Sequence, residues 1–339
     1  MTRTARNLLI NLTLSLVALG LLALAVYSNR DQIAEVMARP IDTRSFALAF
    51  LVYMAALLLT FFRWFTLVRA LGLPFRILDA VRLGFIGNVF NLVIPGAVGG
   101  DVIKGAFLCR EQAKKTQAVA SMIIDRLLGL LGLFLLAGLA GLWAWSGSSR
   151  DVRVLIGLAW AASVAGPIGL AVMFSPSLYR PMLKLVAGQG KLGAIATELV
   201  TAASAYRARL PVVLGALLAA MVGHALFVLA FYFVDLALFR PEVPGLVDHL
   251  VVVPLALFST SVPLPFGALG LSEQVSDFLF EQVGHPGGAI AMMGFRVLMY
   301  GGGLLSVVVY LANLRQVRSL REAAPEADPE VAGSQIDLA

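Results

Sequence analysis

Apolar positions run through this chain in long unbroken stretches rather than in alternation. Six of them, near 8–27, 45–62, 117–145, 153–174, 211–239 and 287–313, are long enough to cross a hydrocarbon core of about 30 Å as helices. The strands of a transmembrane barrel alternate and span only about ten residues, so a β-barrel is excluded. The first stretch follows Arg3 and Arg6 and contains Ala23-Leu24-Ala25, as a cleaved leader would. It is longer than the apolar core of about 7–15 residues in such leaders and reads as a retained helix.

Two further apolar regions, 83–108 and 250–282, are interrupted by glycine, proline and charge. Lys and Arg decide whether each crosses or turns back. Arg63, Arg69, Arg76 and Arg82 precede the first region, and Arg110, Lys114 and Lys115 follow it. Basic flanks stay in the cytoplasm, which predicts a re-entrant hairpin. The scheme then places Arg180, Lys184, Lys191, Arg207, Arg209, Arg315, Arg318 and Arg321 inside, and Arg30, Arg39, Arg44, Arg150, Arg153 and Arg240 outside. Lys104, Arg126 and Arg296 are left at membrane depth. The expectation is a multi-pass protein of a cell inner membrane with both termini cytoplasmic and a second hairpin entering from outside. Residues 175–210, with Leu, Val and Ala between basic residues, read either as an amphipathic insert on the inner leaflet or as a plain cytoplasmic helix or loop. The tail, 316–339, turns acidic and is expected to be disordered.

The two broken regions match one another. Phe90 to Pro95 and Phe258 to Pro263 both read F-x-x-x-[IV]-P. A glycine-rich turn and an acid follow each: Gly99-Gly100-Asp101, and Gly267, Gly270 and then Glu273. A long apolar helix with an arginine comes next, Arg126 or Arg296. The matches fall in order, about 170 residues apart. Three crossings per half make the second half start on the opposite side. The prediction is thus an inverted repeat, 1–145 and 153–315, with 175–210 as an insert in the second half. In transporters, broken segments at matching positions of such repeats mark the binding site.

Arg126 and Arg296 each lie about 13 Å inside their predicted helices, near the midplane. A charge there costs about 2.5–3.5 kcal/mol on insertion scales and should face protein, water or a charged ligand. They are the leading candidates for holding an anionic head group, with salt bridging to Asp101, Asp125 or Glu273 for packing alone as the alternative. Lys104, one helical turn after Asp101, either pairs with it or reaches a phosphate, and Asn91 either lines the path or bonds within the bundle. Asp101 and Glu273 are expected to cap the return helices or to titrate and couple transport to protons. Asp125 points away from its neighbour Arg126 and either meets another helix or joins the coupling. Pro95, Pro263, Gly99, Gly100, Gly267 and Gly270 shape the hairpin backbone.

Composition narrows the class further. At 59% hydrophobic and 14% charged, with mean hydropathy +0.87, the 339 residues cannot form a water-soluble globule, which carries about a quarter charged residues. The single cysteine, Cys109, excludes an internal disulfide. His224, His249 and His285 are scattered in sequence, and no metal, phosphate-loop or nucleophile-elbow motif occurs. No cofactor, metal, nucleic-acid partner or enzymatic activity is expected.

Asn91 to Pro95, Gly99-Gly100-Asp101, Asp125-Arg126-x-x-Gly129, Gly267-x-x-Gly270-x-x-Glu273 and Arg296 together resemble the membrane-region family of lysylphosphatidylglycerol synthases, also called flippase-like integral membrane proteins. The resemblance covers most of residues 8–315. It implies a lipid-handling membrane fold, which in fused members moves an aminoacylated phospholipid between leaflets. Here only a short acidic tail follows the last helix, with no aminoacyl-transferase domain, so a stand-alone member is the better comparison. The expected function is translocation of an anionic lipid or polyprenyl-phosphate-type head group across the inner membrane. An ion or small-solute carrier, or a membrane partner of a lipid-modifying enzyme, is the alternative. Membrane lipids are the expected partners, with such an enzyme or a second copy of the chain as further candidates.

Overall fold

A computed structural model describes residues 3–93, 99–112, 114–187, 191–262 and 264–314. The fold is an all-α polytopic membrane protein, with no strand among the described residues. The helices are α1 (Arg3–Ser28), α2 (Arg30–Ala38), α3 (Thr43–Ala70), α4 (Ile77–Val93), α5 (Gly99–Glu111), α6 (Lys115–Ala144), α7 (Arg150–Phe174), α8 (Pro176–Ala187), α9 (Lys191–Ser204), α10 (Leu210–Phe239), α11 (Leu246–Ser259), α12 (Pro265–Ala268), α13 (Leu271–Glu281) and α14 (Gly288–Ala312). A 3₁₀ turn, Ala205–Arg209, links α9 to α10. Among the described residues, five helices are individually long and apolar enough to span, and α1 with α2, bent by 66°, makes a sixth candidate. Exposed Leu51, Leu142, Leu158, Leu214 and Leu304 are the surface such helices present to lipid.

Both interrupted regions fold back on themselves. In the first, α4 and α5 lie side by side, with the Gly87 and Gly100 backbones touching. A methyl group on Gly100 would sit 2.1 Å from the Gly87 carbonyl oxygen, so only glycine allows the approach. The outer ends meet as well, since Gln112 Nε2 donates to the Pro74 carbonyl at 2.7 Å. In the second, α11 packs on α13, and His249 near the start of α11 meets Phe280 near the end of α13, ring centroids 5.2 Å apart. The first hairpin opens at the end of the bundle that carries Arg69, Arg76, Arg110, Lys114, Lys115, Arg207 and Arg209. The second opens at the other end, where Val247, Asp248, Gln282 and Gly284 share a cavity wall with Trp143 and Ser146 to Ser149.

At the centre, α3 and α10 pack along each other. The third long helix of each half then lies on the other half's hairpin: α6 on α11, and α14 on α4. Small residues permit these crossings. A methyl group on Gly132 of α6 would sit 2.7 Å from the Ala220 Cβ of α10, and ones on Gly301 and Gly302 of α14 would sit 2.9 Å from the rings of Phe50 and Tyr53 of α3. The Gly301-Gly302-Gly303 run is a close helix contact, as small residues allow in membranes.

Between α7 and α10, α8, α9 and the 3₁₀ turn are docked on the bundle. Thr116 Oγ1 of α6 donates to Glu198 of α9 at 2.5 Å, and the buried Tyr206 hydroxyl donates to the Leu67 carbonyl at 2.9 Å. One sequence assignment needs correcting. Arg63 is not a flanking charge in the aqueous phase: α3 continues through Trp64 to Ala70, and Arg63 is buried inside it. The apolar run resumes after Arg63, so the helix is longer than the 45–62 stretch. Residues 316–339, expected to be disordered, lie outside the described residues.

Candidate functional site

Each hairpin places its acid on an arginine of the following long helix. In the first half, Asp101 opens α5 and meets the Arg126 guanidinium of α6. Lys104, one turn further along α5, closes on the other Asp101 oxygen at 2.6 Å and lies 5.3 Å over the Trp64 ring. Two cations therefore converge on one carboxylate. The Arg126 side chain stays 41% exposed, while that of Asp101 is 16% exposed. Asn91 spends its side-chain oxygen on the Gly100 N–H at 2.8 Å, tying the two arms. It caps α5, one of the two roles open to Asp101 from the sequence. Gly99 and Gly100 are buried at this turn.

In the second half, Glu273 of α13 meets Arg296 of α14. Its Oε2 also accepts the Gly270 N–H at 2.7 Å, capping α13. Arg296 bonds the Phe266 carbonyl at 2.6 Å, and Ser272 as well. Phe266 and Ala268 both hold positive φ, 56° and 53°, and Arg296 braces this turn. The pair is closed, with side chains 5% and 0% exposed. Helix α1 presses on it: a methyl group on Gly270 would lie 2.3 Å from the Leu22 backbone nitrogen. Pro95 and Pro263 lie outside the described residues, and Gly267 falls within α12.

Asp125 takes a different partner. It points away from Arg126, as its position on the helix requires, and receives a bidentate bridge from Arg63 at 2.7 and 3.0 Å. Such forked geometry is the strong form of a carboxylate pair. Asp125 thus caps no hairpin. Along α6 the Lys115-to-Arg126 rise is about 16 Å, and along α14 the Gly288-to-Arg296 rise is about 12 Å. Both arginines are thus deep in their helices. Among the described residues, no group of three or more His, Cys, Asp or Glu is arranged to hold a metal.

A model of the lysylphosphatidylglycerol synthase transmembrane region matches residues 8–306. The chain belongs to that family. Within the lysylphosphatidylglycerol synthase transmembrane-region family, the match spans both hairpins and both hairpin-facing arginines. A curated relative, a UPF0104 membrane protein of Pyrococcus horikoshii, is 27% identical over 120 residues, which is 34% of this chain and 36% of the relative. The aligned part is about a third of the relative's length. No solved structure matches the chain.

Sequence reasoning missed two polar groups of the interior. Arg63 sits among the basic residues of a flank in sequence but is buried in the fold, and Asp235 is buried in α10. Asp235 is the only charged residue in the 211–239 stretch, and an acid inside an apolar span is a signal in itself. Its partners, His249 and His285, come from other elements and are recognisable only in three dimensions.

Proposed function

We propose that the protein is a lipid translocase for an anionic or polyprenyl-phosphate-type head group. The supporting observation is the half-open cluster of Asp101, Lys104 and Arg126 at the turn of the first hairpin, with a closed counterpart in the second. Arg126 and Lys104 offer two cations to one carboxylate, so a phosphate approaching the exposed Arg126 gains charge-assisted bonds without a new charge being buried. Lipid tails remain in the bilayer. The two hairpins, opening at opposite ends, act as inverted repeats, 1–145 and 153–315. The basic end faces the cytoplasm of an inner membrane, with both termini there. Membrane lipids are the partners, and no chemical step is performed on them.

Mass spectrometry of lipids that co-purify with the protein tests this. The wild type should enrich one anionic lipid over the bulk membrane, and Lys104→Ala with Arg126→Ala should lose that enrichment while remaining folded. A bulk-like profile in both proteins would overturn the reading and favour a solute carrier or a partner subunit.

A further inference from the structure

Asp235, His249 and His285 come from α10, α11 and the turn before α14, and all three are buried. His249 Nδ1 is 3.0 Å from the Gly245 carbonyl oxygen, an atom that only accepts, so Nδ1 carries a hydrogen. His249 Nε2 is 2.9 Å from Asp235 Oδ2. That contact is attractive only with a second proton between the two atoms, held as imidazolium and carboxylate or as imidazole and carboxylic acid. Without it, a nitrogen lone pair would face a carboxylate oxygen, with both residues fully buried. The other carboxylate oxygen, Oδ1, lies 3.5 Å from His285 Nε2, and neither atom has a hydrogen-bond partner among the described residues. His285 in turn lines an open cavity of about 500 Å³ at the end of the bundle formed by Glu35, Arg39 and Glu242.

We propose that this trio is a proton-binding site, loaded from the cavity through His285. One proton is shared by His249 and Asp235, and a second, arriving on His285, closes the 3.5 Å gap to Oδ1. The acids singled out from sequence for coupling are less suited to it. Asp101, Asp125 and Glu273 all face arginines, whose charge is permanent, whereas Asp235 faces two imidazoles, side chains able to take up and release a proton.

The remaining charges around the trio are engaged or outlying. Asp248 on α11 accepts the Gly245 N–H, and Glu35 on α2 pairs with Arg39, just past the end of that helix. Asp277 on α13 accepts from Asn29 and the Ala289 N–H. Arg296 on α14 holds Glu273, Asp42 and Arg240 stand 4.0 Å apart, and Glu242 and Glu281 are exposed. Tyr232 meets His249 edge-on. The site stands on this geometry and not on the lipid reading.

Nitrogen-15 spectra of histidine-labelled protein in nanodiscs, from pH 5 to pH 9, test it. His224→Gln, His249→Gln and His285→Gln assign the three rings. His249 should keep Nδ1–H throughout, and His285 should titrate in linkage with it. His285→Gln, at the cavity edge, should move the His249 transition by at least about one pH unit, a tenfold change in proton affinity expected of coupled sites. Asp235→Asn should abolish the linkage if that variant folds. Independent titration of the two rings, or no titration of either, would overturn the proposal. So would spectra that change on adding zinc or EDTA, which would make it a metal site.

Discussion

The two hairpins carry the same acid–arginine pair in opposite conditions. Arg126 and Asp101 keep contact with the surroundings, and Lys104 adds a second cation. Arg296 and Glu273 are sealed, and each also holds backbone: Glu273 caps α13 and Arg296 braces the Phe266 turn. The difference lies in what packs on each pair. Helix α1 runs across α12 and α13 and closes the second pair. Helix α7, which the proposed repeat would set against α1, instead lies along α6, α8 and α9. One motif thus serves as a structural clamp where α1 covers it and as a candidate binding site where its arginine stays exposed.

The largest expected effect is in the clamp. Arg296→Met leaves the Glu273 carboxylate in the interior without its guanidinium, and breaking one side of a buried pair costs about 3–5 kcal/mol. Thermal unfolding of the purified variant in detergent should show a large fall in Tm or no folded protein. Adding Glu273→Gln should recover part of that loss, because the stranded charge is gone. The matching change in the first half, Arg126→Met, should move Tm little, since a half-exposed ion pair contributes about 0–1 kcal/mol. Equal losses in the two halves would erase the distinction. Arg63→Met, which strands Asp125, should behave like Arg296→Met.

The hairpin glycines give an intermediate effect of about 1–3 kcal/mol, the range for overpacking. Gly100→Ala forces its methyl group into the Gly87 carbonyl, so α4 and α5 must part. Gly270→Ala meets the α1 backbone, and its φ of +84° disfavours any side chain. The outcomes should differ in kind. Gly100→Ala should loosen the arms around Lys104. Gly270→Ala should release α1 and expose Arg296, read as faster amide exchange across Leu21 and Leu22. If Gly270→Ala left that exchange unchanged, α1 would not be the seal.

Much of this arrangement was legible in the sequence. Apolar length gave the helices, because a hydrocarbon core leaves few options for backbone polar groups. Basic flanks pointed to a first region that turns back, and the Gln112 bond to Pro74 ties its two outer ends together. The acids and arginines at matching positions were found by repetition alone, without their contacts. Two things were not legible. Exposure depends on what a remote helix covers, and nothing in residues near Glu273 announces that Leu21 and Leu22 lie against Gly270. Partner choice on a helix depends on direction: Asp125 and Arg126 are adjacent in sequence, yet one turns to α3 and the other to α5. Arg63 was misplaced because a single charge looked like the end of a helix that continues beyond it.

The smallest effect on stability should carry the largest effect on ligand. Lys104→Met removes a cation that is paired with Asp101 and rests on Trp64, while its apolar stem, which packs near Gly87, is retained. Asp101 still has Arg126, so no buried charge is left without a partner, and Tm should shift by no more than about 1 kcal/mol equivalent. Lipid recovery should nonetheless fall, and the remaining association should weaken less steeply with added salt, since one fewer cation is there to be screened. Arg296→Lys provides the contrast. It keeps the charge but loses the fork that reaches Glu273, Ser272 and the Phe266 carbonyl together, so it should lower Tm and leave the lipid profile of the surviving folded fraction unchanged. A Lys104→Met protein that kept its lipid, beside an Arg296→Lys protein that lost it, would exchange the roles of the two halves.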